Sequence, residues 1–180
     1  SDENTNNYIA YFSDTDRRFA TYIIYRDKDF NGVREKITHL GVRTFLDWPP
    51  EHESWLELAY MDGSRGETKL GGWGLDLGTI RSIGERWYVT TAWAFGQGDA
   101  KTGNGTDGNF RQTGLQDNNG KFGGVTSFRY YGELIDPELA NMHIATLGVG
   151  FRFTENSSID LVGHYYLQDK AARRIIDSDI

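Results

Sequence analysis

The sequence predicts an all-β fold, namely an antiparallel up-and-down transmembrane β-barrel or part of one, with a long Gly-rich loop. Most of the chain divides into segments in which apolar residues alternate with small or polar residues at a period of two. Several segments reach about 10 residues, which suits a tilted membrane strand better than the soluble average of about 5–6. Short turns alternate with one very long connection, an asymmetry typical of membrane barrels.

The predicted strands follow one another along the chain as hairpins. Turn-forming Asn, Asp, Gly and Ser cluster at 29–32, 62–64, 82–85 and 155–157, where they supply positive φ angles and local side-chain hydrogen bonds. Because such turns join neighbours in sequence, the strands should form an antiparallel meander. No long helix is expected, and residues 136–141 predict at most one short turn. The predicted strands are 8–13, 18–26, 35–47, 55–62, 69–81, 86–98, 125–134, 142–154 and 158–168.

Each predicted strand has an apolar, aromatic face and a face of small residues with isolated charges. In the strand at 86–98, Trp87, Val89 and Trp93 share one face, and Ala92 and Ala94 share the other. The apolar face would be the core of a soluble sandwich or the lipid-facing surface of a barrel. Small residues on the polar face and aromatic residues near the strand ends favour the barrel. The aromatic residues expected in interfacial girdles are Trp55, Trp73, Trp87, Phe95, Phe128 and Phe153.

The composition excludes several other classes of protein. The chain of 180 residues has a net charge of −7, which argues against a nucleic-acid partner. The absence of Cys excludes disulfides, zinc-thiolate sites and a cysteine nucleophile. No apolar run approaches the roughly 18–20 residues of a membrane helix. The chain begins at Ser1 without a visible signal peptide, so we expect a mature chain or a fragment.

The long connection is predicted at residues 96–124, within a single domain or segment that spans residues 1–180. After Gly96 this connection contains eight further glycines and few apolar residues. A structureless loop of this length inside a compact domain is unusual and is often functional. It is expected either to fold into the passage of a barrel or to lie outside as a flexible cap.

Several stretches in the second half of the chain carry a family resemblance. They are GDAKTGNG at 98–105, NFRQTGLQDN at 109–118, FRYYGE at 128–133, GVGFRF at 148–153 and SSIDLV at 157–162. With these motifs the chain resembles the alginate export family of outer-membrane porins, most clearly from about 96 to 168. The earlier strands fit in pattern alone.

The resemblance implies a monomeric, many-stranded barrel in the outer membrane of a Gram-negative bacterium. It would export an anionic polysaccharide, alginate or a similar polyuronate, through a lumen that carries arginines. Such a channel is not an enzyme and needs no cofactor or metal. Its expected partners are the polysaccharide, outer-membrane lipid and candidate periplasmic secretion proteins, and not nucleic acid. Members of the family are longer than this chain, so an internal or truncated part of a larger barrel is expected.

Charged residues on the polar faces are the candidate contacts for the polysaccharide. Guanidinium groups bind carboxylates through two hydrogen bonds and stay charged at any relevant pH, and interleaved acids would keep the contacts weak enough for passage. The alternative is that these arginines and acids neutralise one another. The resemblance supports the arginines at 129 and 152 most, and the one at 111 lies in the loop motif. The candidates are Arg26, Arg43, Arg111, Arg129, Arg152, Glu57, Asp76 and Glu133.

A soluble all-β polysaccharide lyase or carbohydrate-binding domain is the alternative function. A lyase needs a Tyr or His base beside Arg and Gln on one concave sheet face, and a glycosidase needs a carboxylate pair, for which Glu57 and Asp76 are candidates. The motif that begins at Asp27 copies the start of a calcium loop, but its twelfth position is not Glu, so a hairpin turn is expected. The candidate lyase residues are Tyr131, His164, Arg129 and Gln168.

Overall fold

The computed structural model is all-β and describes residues 3–16, 18–46, 52–100, 103–113, 119–133, 135 and 137–171. Its strands agree with the predicted ones except in one region, and the strand at 142–154 has the predicted bounds. Residues 125–134 do not form the predicted long strand. The strands are β1 Glu3–Ser13, β2 Phe19–Phe30, β3 Val33–Leu46, β4 His52–Arg65, β5 Thr68–Ile83, β6 Trp87–Gly96, β7 Thr106–Asp107, β8 Asn119–Lys121, β9 Ser127–Arg129, β10 Met142–Thr154 and β11 Ser157–Gln168.

The eight long strands form one antiparallel sheet in the order β1-β2-β3-β4-β5-β6-β10-β11. This is the up-and-down meander that the turns predicted. Within the described residues, β1 and β11 are the two edges of the sheet. The short β7 pairs in parallel with β5, and β8 and β9 form a separate two-stranded hairpin. No helix in these ranges is long and apolar enough to cross a membrane.

The turn between β2 and β3 shows how the local sequence sets the hairpins. Asn31 and Gly32 have φ angles of 51° and 81°. Two consecutive residues with positive φ give the twist that a two-residue hairpin requires. The Asp29 side chain accepts a hydrogen bond from the Gly32 N–H at 3.1 Å. The hairpin turn predicted at the calcium-like motif is therefore present.

The two faces of the sheet have different surroundings. One face, which we call the covered face, packs against the connection between β6 and β10, residues 97–141, which we call the inner loop. Ile37, Met61 and Ile144 of the sheet are buried there with Phe110 and Tyr131 of the inner loop. The other face, which we call the open face, exposes large apolar side chains along every long strand. They include Ile23, Leu40, Leu58, Tyr60, Trp73, Leu77, Trp87, Leu147, Val149, Leu161 and Tyr165.

Glycines on the covered face let the inner loop approach the sheet. A Cβ at Gly74 would stand 2.7 Å from the Phe110 ring, and one at Gly72 would stand 2.7 Å from the Phe110 nitrogen. A Cβ at Gly96 would overlap the Leu139 carbonyl. The abundance of glycine on the polar faces is therefore explained by close packing of loop backbone and aromatic rings against the sheet.

Candidate functional site

A charge cluster lies on the covered face near the hairpin turn between β2 and β3. Strand pairing places Glu35 of β3 directly opposite Arg65 of β4, and Arg26 of β2, which pairs with Ile37, is its diagonal neighbour on the same face. Arg26 donates to Glu35 at 3.1 Å, and Arg65 donates through Nε at 2.6 Å. Arg111 of the inner loop stands 3.9 Å from the same carboxylate and 2.5 Å from Asp107. We call these five residues the Glu35 cluster.

Arg26 of the Glu35 cluster and the neighbouring His39 also hold the backbone of the inner loop. Arg26 donates to the Thr113 carbonyl at 3.2 Å, and His39 Nε2 donates to the Arg111 carbonyl at 3.0 Å. The pairing of β7 with Lys69 and Leu70 of β5 brings Asp107 to this end of the sheet. Arg111, predicted only as a loop residue, thus reaches the same site as Arg26 because the loop folds back on the covered face.

A second group on the covered face joins residues of three strands, β2, β3 and β4. Arg43 and Glu57 are directly opposite in the pairing of β3 with β4, and Arg43 Nε donates to Glu57 at 2.6 Å. Tyr22 of β2 donates to the other Glu57 oxygen at 2.7 Å. The Arg43 side chain is 49% exposed, so its guanidinium also faces the space above the sheet. Arg43 and Glu57 are therefore paired and accessible at once.

Asp76 anchors the inner loop to β5. It faces Glu57 across the pairing of β4 with β5. Its two oxygens accept hydrogen bonds from Trp55 Nε1 at 2.7 Å and from the Tyr131 hydroxyl at 2.9 Å. Burial raises the pKa of Tyr131 well above its ordinary value, and Asp76 raises it further, so the phenol remains a donor. Trp55, expected in an interfacial girdle, instead lies on the covered face.

Arg152 lies on the covered face at the opposite end of the sheet from the Glu35 cluster. Its Nε donates to the Gly123 carbonyl of the inner loop at 2.8 Å. Its guanidinium also lies 5.6 Å from the centre of the Tyr88 ring, and Tyr88 donates to Asp160 of β11. The predicted position of Arg152 on the polar face is confirmed, and its partner in the structure is loop backbone.

Arg129 and Glu133 do not lie on a long strand of the sheet, and this part of the prediction is wrong. Both belong to the inner loop, where β9 ends at Arg129 and the Glu133 carboxylate accepts the Arg129 N–H at 2.8 Å. Gly132 has a φ of 112°, and its N–H bonds the Arg129 carbonyl, so the chain turns here. Phe128 is likewise a loop residue and does not belong to an interfacial girdle.

Glu35, Arg65 and His39 belong to this site but were not among the candidates predicted from the sequence. The alternation that puts His39, Gly41 and Arg43 on the polar face, continued towards the start of β3, places Glu35 there too. Their burial, with Glu35 at 4% exposed and His39 at 2%, depends on the inner loop that covers them. That cover could not be derived from the pattern of a single strand.

The residues considered for catalysis do not form an open site. The Tyr131 hydroxyl is bound to Asp76, and the residue is 5% exposed. His164 Nδ1 is paired with the Thr146 hydroxyl at 2.9 Å. Among the residues that the structure describes, no group of three His, Asp or Glu side chains could hold a metal ion.

Aromatic side chains form two bands on the open face, one near each end of the strands. Near the inner-loop end, the rings of Trp73 and Phe95 are 4.6 Å apart, and those of Trp93 and His143 are 5.7 Å apart. Near the other end, Trp87 and Phe151 are 4.8 Å apart, and the Phe151 ring also contacts Phe153 at 5.1 Å. Aliphatic side chains occupy the open face between the bands.

Comparison with known proteins places the chain in a family. The sequence matches the alginate export family over residues 2–180. It is 35% identical over 109 residues to the alginate production protein AlgE of Azotobacter vinelandii, which covers 58% of this chain and 22% of that protein. It is 35% identical over 94 residues to AlgE of Pseudomonas aeruginosa, covering 52% and 19%. The chain thus spans about a fifth of the length of these curated relatives. The chain belongs to the alginate export family.

Proposed function

We propose that this chain is part of an outer-membrane channel through which an alginate-like polyuronate leaves a Gram-negative cell. Membership of the alginate export family supports this proposal, as do the names of the two relatives. In this proposal the open face contacts lipid and the covered face lines the passage. The channel carries the polymer by diffusion and performs no covalent chemistry.

The open face is the observation that carries the proposal. Monomeric soluble proteins seldom expose a contiguous apolar patch larger than a few hundred Å², yet here every long strand contributes exposed large apolar side chains, with Leu161 74% exposed. Trp87 and Phe95 lie eight residues apart on β6. At about 3.3 Å per residue and a tilt of about 40°, that separation corresponds to about 20 Å of membrane height. This value is close to the apolar band of outer-membrane barrels, about 25 Å tall.

The covered face supplies the groups that a polyuronate would meet. Arg43 and Arg65 have side chains that are 49% and 50% exposed, whereas Arg26 and Arg111 are largely enclosed by the inner loop. A passing carboxylate can share a guanidinium with the acid already bound to it, because the planar donor group has five N–H bonds to offer. Such shared contacts are weak and repeated, as conduction requires. Arg43 and Arg65 are therefore the proposed polymer contacts.

Ion selectivity of the intact channel in planar bilayers tests this proposal. Arg43→Gln removes one accessible cation from the passage, so the reversal potential in a salt gradient should shift towards lower anion preference. Arg34→Gln is the matched control, because Arg34 is an exposed arginine on the open-face side of the same strand, paired with Asp27. An equal effect of the two variants, or an intact protein that forms no conducting pore, would refute the proposed role of the covered face.

A further inference from the structure

The inner loop is joined at its base to the segment that follows β11. Three pieces of chain meet there: the start of the loop at Gln97 and Gly98, its end at Asn141, and the exit of β11 at Asp169 and Lys170. The Gly98 N–H donates to Asp169 Oδ2 at 3.0 Å, and the Asn141 N–H donates to the Gln97 carbonyl at 3.3 Å. The start of the loop is therefore hydrogen-bonded both to the exit of β11 and to the end of the loop.

The Asn141 side chain binds both backbone polar groups of Lys170, in the segment after β11, much as the backbone of a neighbouring strand would. Its Nδ2 donates to the Lys170 carbonyl at 3.0 Å, and its Oδ1 accepts the Lys170 N–H at 2.7 Å. Its own carbonyl accepts the Asp169 N–H at 3.2 Å. Asn141 is 3% exposed and has a φ of 53°, a conformation that Asn and Gly tolerate better than other residues. A Cβ at Gly98 would overlap the Asn141 side chain.

Asp169 completes the junction with charge. Burial opposes its ionisation, but the Gly98 N–H and the Lys170 ammonium together lower the pKa of Asp169 below its ordinary value. Lys170 Nζ lies 3.0 Å from Asp169 Oδ1, and His143 Nε2 lies 3.7 Å from the same oxygen. The carboxylate therefore accepts a hydrogen bond from the start of the loop and faces the Lys170 ammonium and the His143 imidazole.

We propose that Asn141 and Asp169 are positioning residues that latch both ends of the inner loop to the exit of β11 and so hold the loop on the covered face. The consequence of this latch for transport rests on the proposed function: an inner loop held in this position limits the free width of the passage. The contacts of Asp76 and Arg26 with the inner loop each hold one point along the loop. The latch instead fixes the direction in which the two ends of the inner loop leave the sheet.

Amide hydrogen exchange of the intact protein in detergent micelles tests the latch without relying on transport. Asn141→Gly removes both side-chain hydrogen bonds and keeps the positive φ unstrained, so exchange across residues 103–113 should rise about 10-fold, as expected for the loss of two hydrogen bonds. Asn31→Gly is the matched control, because Asn31 has nearly the same φ in an exposed turn. Equal exchange in the two variants would overturn the proposal.

A second pair of variants separates a latch from a general loss of folding. Asp169→Ala removes the acceptor of the Gly98 N–H and should increase loop exchange, whereas Asp169→Asn keeps an oxygen acceptor for Gly98, loses the charge that faces Lys170, and should restore part of the protection. Increased exchange on β3 or β4 in Asp169→Ala would indicate unfolding and overturn the proposal. Conductance of the same variants reports the channel separately. Faster loop exchange without any conducting pore would support the latch and refute the proposed function.

Discussion

The hydrogen bond between the Tyr131 hydroxyl and Asp76 joins the inner loop to the sheet, and it can be deleted by removing a single oxygen atom. Tyr131→Phe deletes the hydroxyl that lies 2.9 Å from Asp76 and leaves the buried ring in place. Asp76 keeps its bond from Trp55 at 2.7 Å, so one carboxyl oxygen loses its partner and the other does not. Loss of one partner from a buried polar group costs about 1–3 kcal/mol, so the loop should open about 5- to 150-fold more often.

Amide exchange across residues 119–133 measures that opening directly. Tyr165→Phe is the control, because Tyr165 lies on the open face and is 68% exposed, so removal of its hydroxyl should change exchange less than twofold. If Tyr131→Phe exchanged no faster than Tyr165→Phe, the hydroxyl would not hold the loop. The assignment of Asp76 as an anchor would then fail.

Three further predictions concern packing, lipid and pH. Gly96→Ala places a Cβ against a loop carbonyl and should lower the urea midpoint of folding, whereas Gly163→Ala has no atom closer than 4.0 Å and should not. Leu147→Arg, in the middle of the open face, should cost about 2–4 kcal/mol of folding free energy in lipid vesicles, and Ile83→Arg, at a strand end, about 0–1; equal costs would contradict a lipid-facing surface. Because the pKa of Asp169 is lowered, its contribution to the stability of the docked inner loop is complete above the ordinary Asp pKa. That contribution is lost as the pH falls through the lowered value. Loop protection, corrected for intrinsic exchange, should therefore fall as the pH drops below about 4.

The long strands could be predicted because each is long enough for the period of two to be unmistakable. The alternation of Leu147, Val149 and Phe151 with Gly148 and Gly150 marked β10 from end to end. The same alternation produced the error at 125–134. Aromatic and polar residues alternate there for only a few positions, and the turn at Gly132 ends the strand before it can join the sheet. A short alternating run therefore predicts a strand without indicating which sheet it joins.

Those contacts of the candidate site that depend only on the pairing of adjacent strands could be predicted from the sequence. Arg43 and Glu57 meet because adjacent strands of a hairpin bring their polar faces together, which the face pattern anticipates. The Glu35 cluster could not be predicted in this way, because Arg111 reaches it through the fold of the inner loop. Four long strands, β3 to β6, separate Arg26 from Arg111 in sequence, and the loop carbonyl that Arg26 binds cannot be recognised from any side chain.

The partners of the cations bear on what a polyuronate would encounter. The Glu35 cluster combines three arginines with two carboxylates, which leaves one net positive charge, and Arg43 is matched by Glu57. Arg26 and Arg152 each donate hydrogen bonds to a carbonyl of the inner loop. The number of arginines on the covered face therefore overstates its positive potential while the loop is docked. Displacement of the loop would free donors at 26 and 152 without changing any charge, so loop position should affect polymer affinity more than the selectivity for small ions.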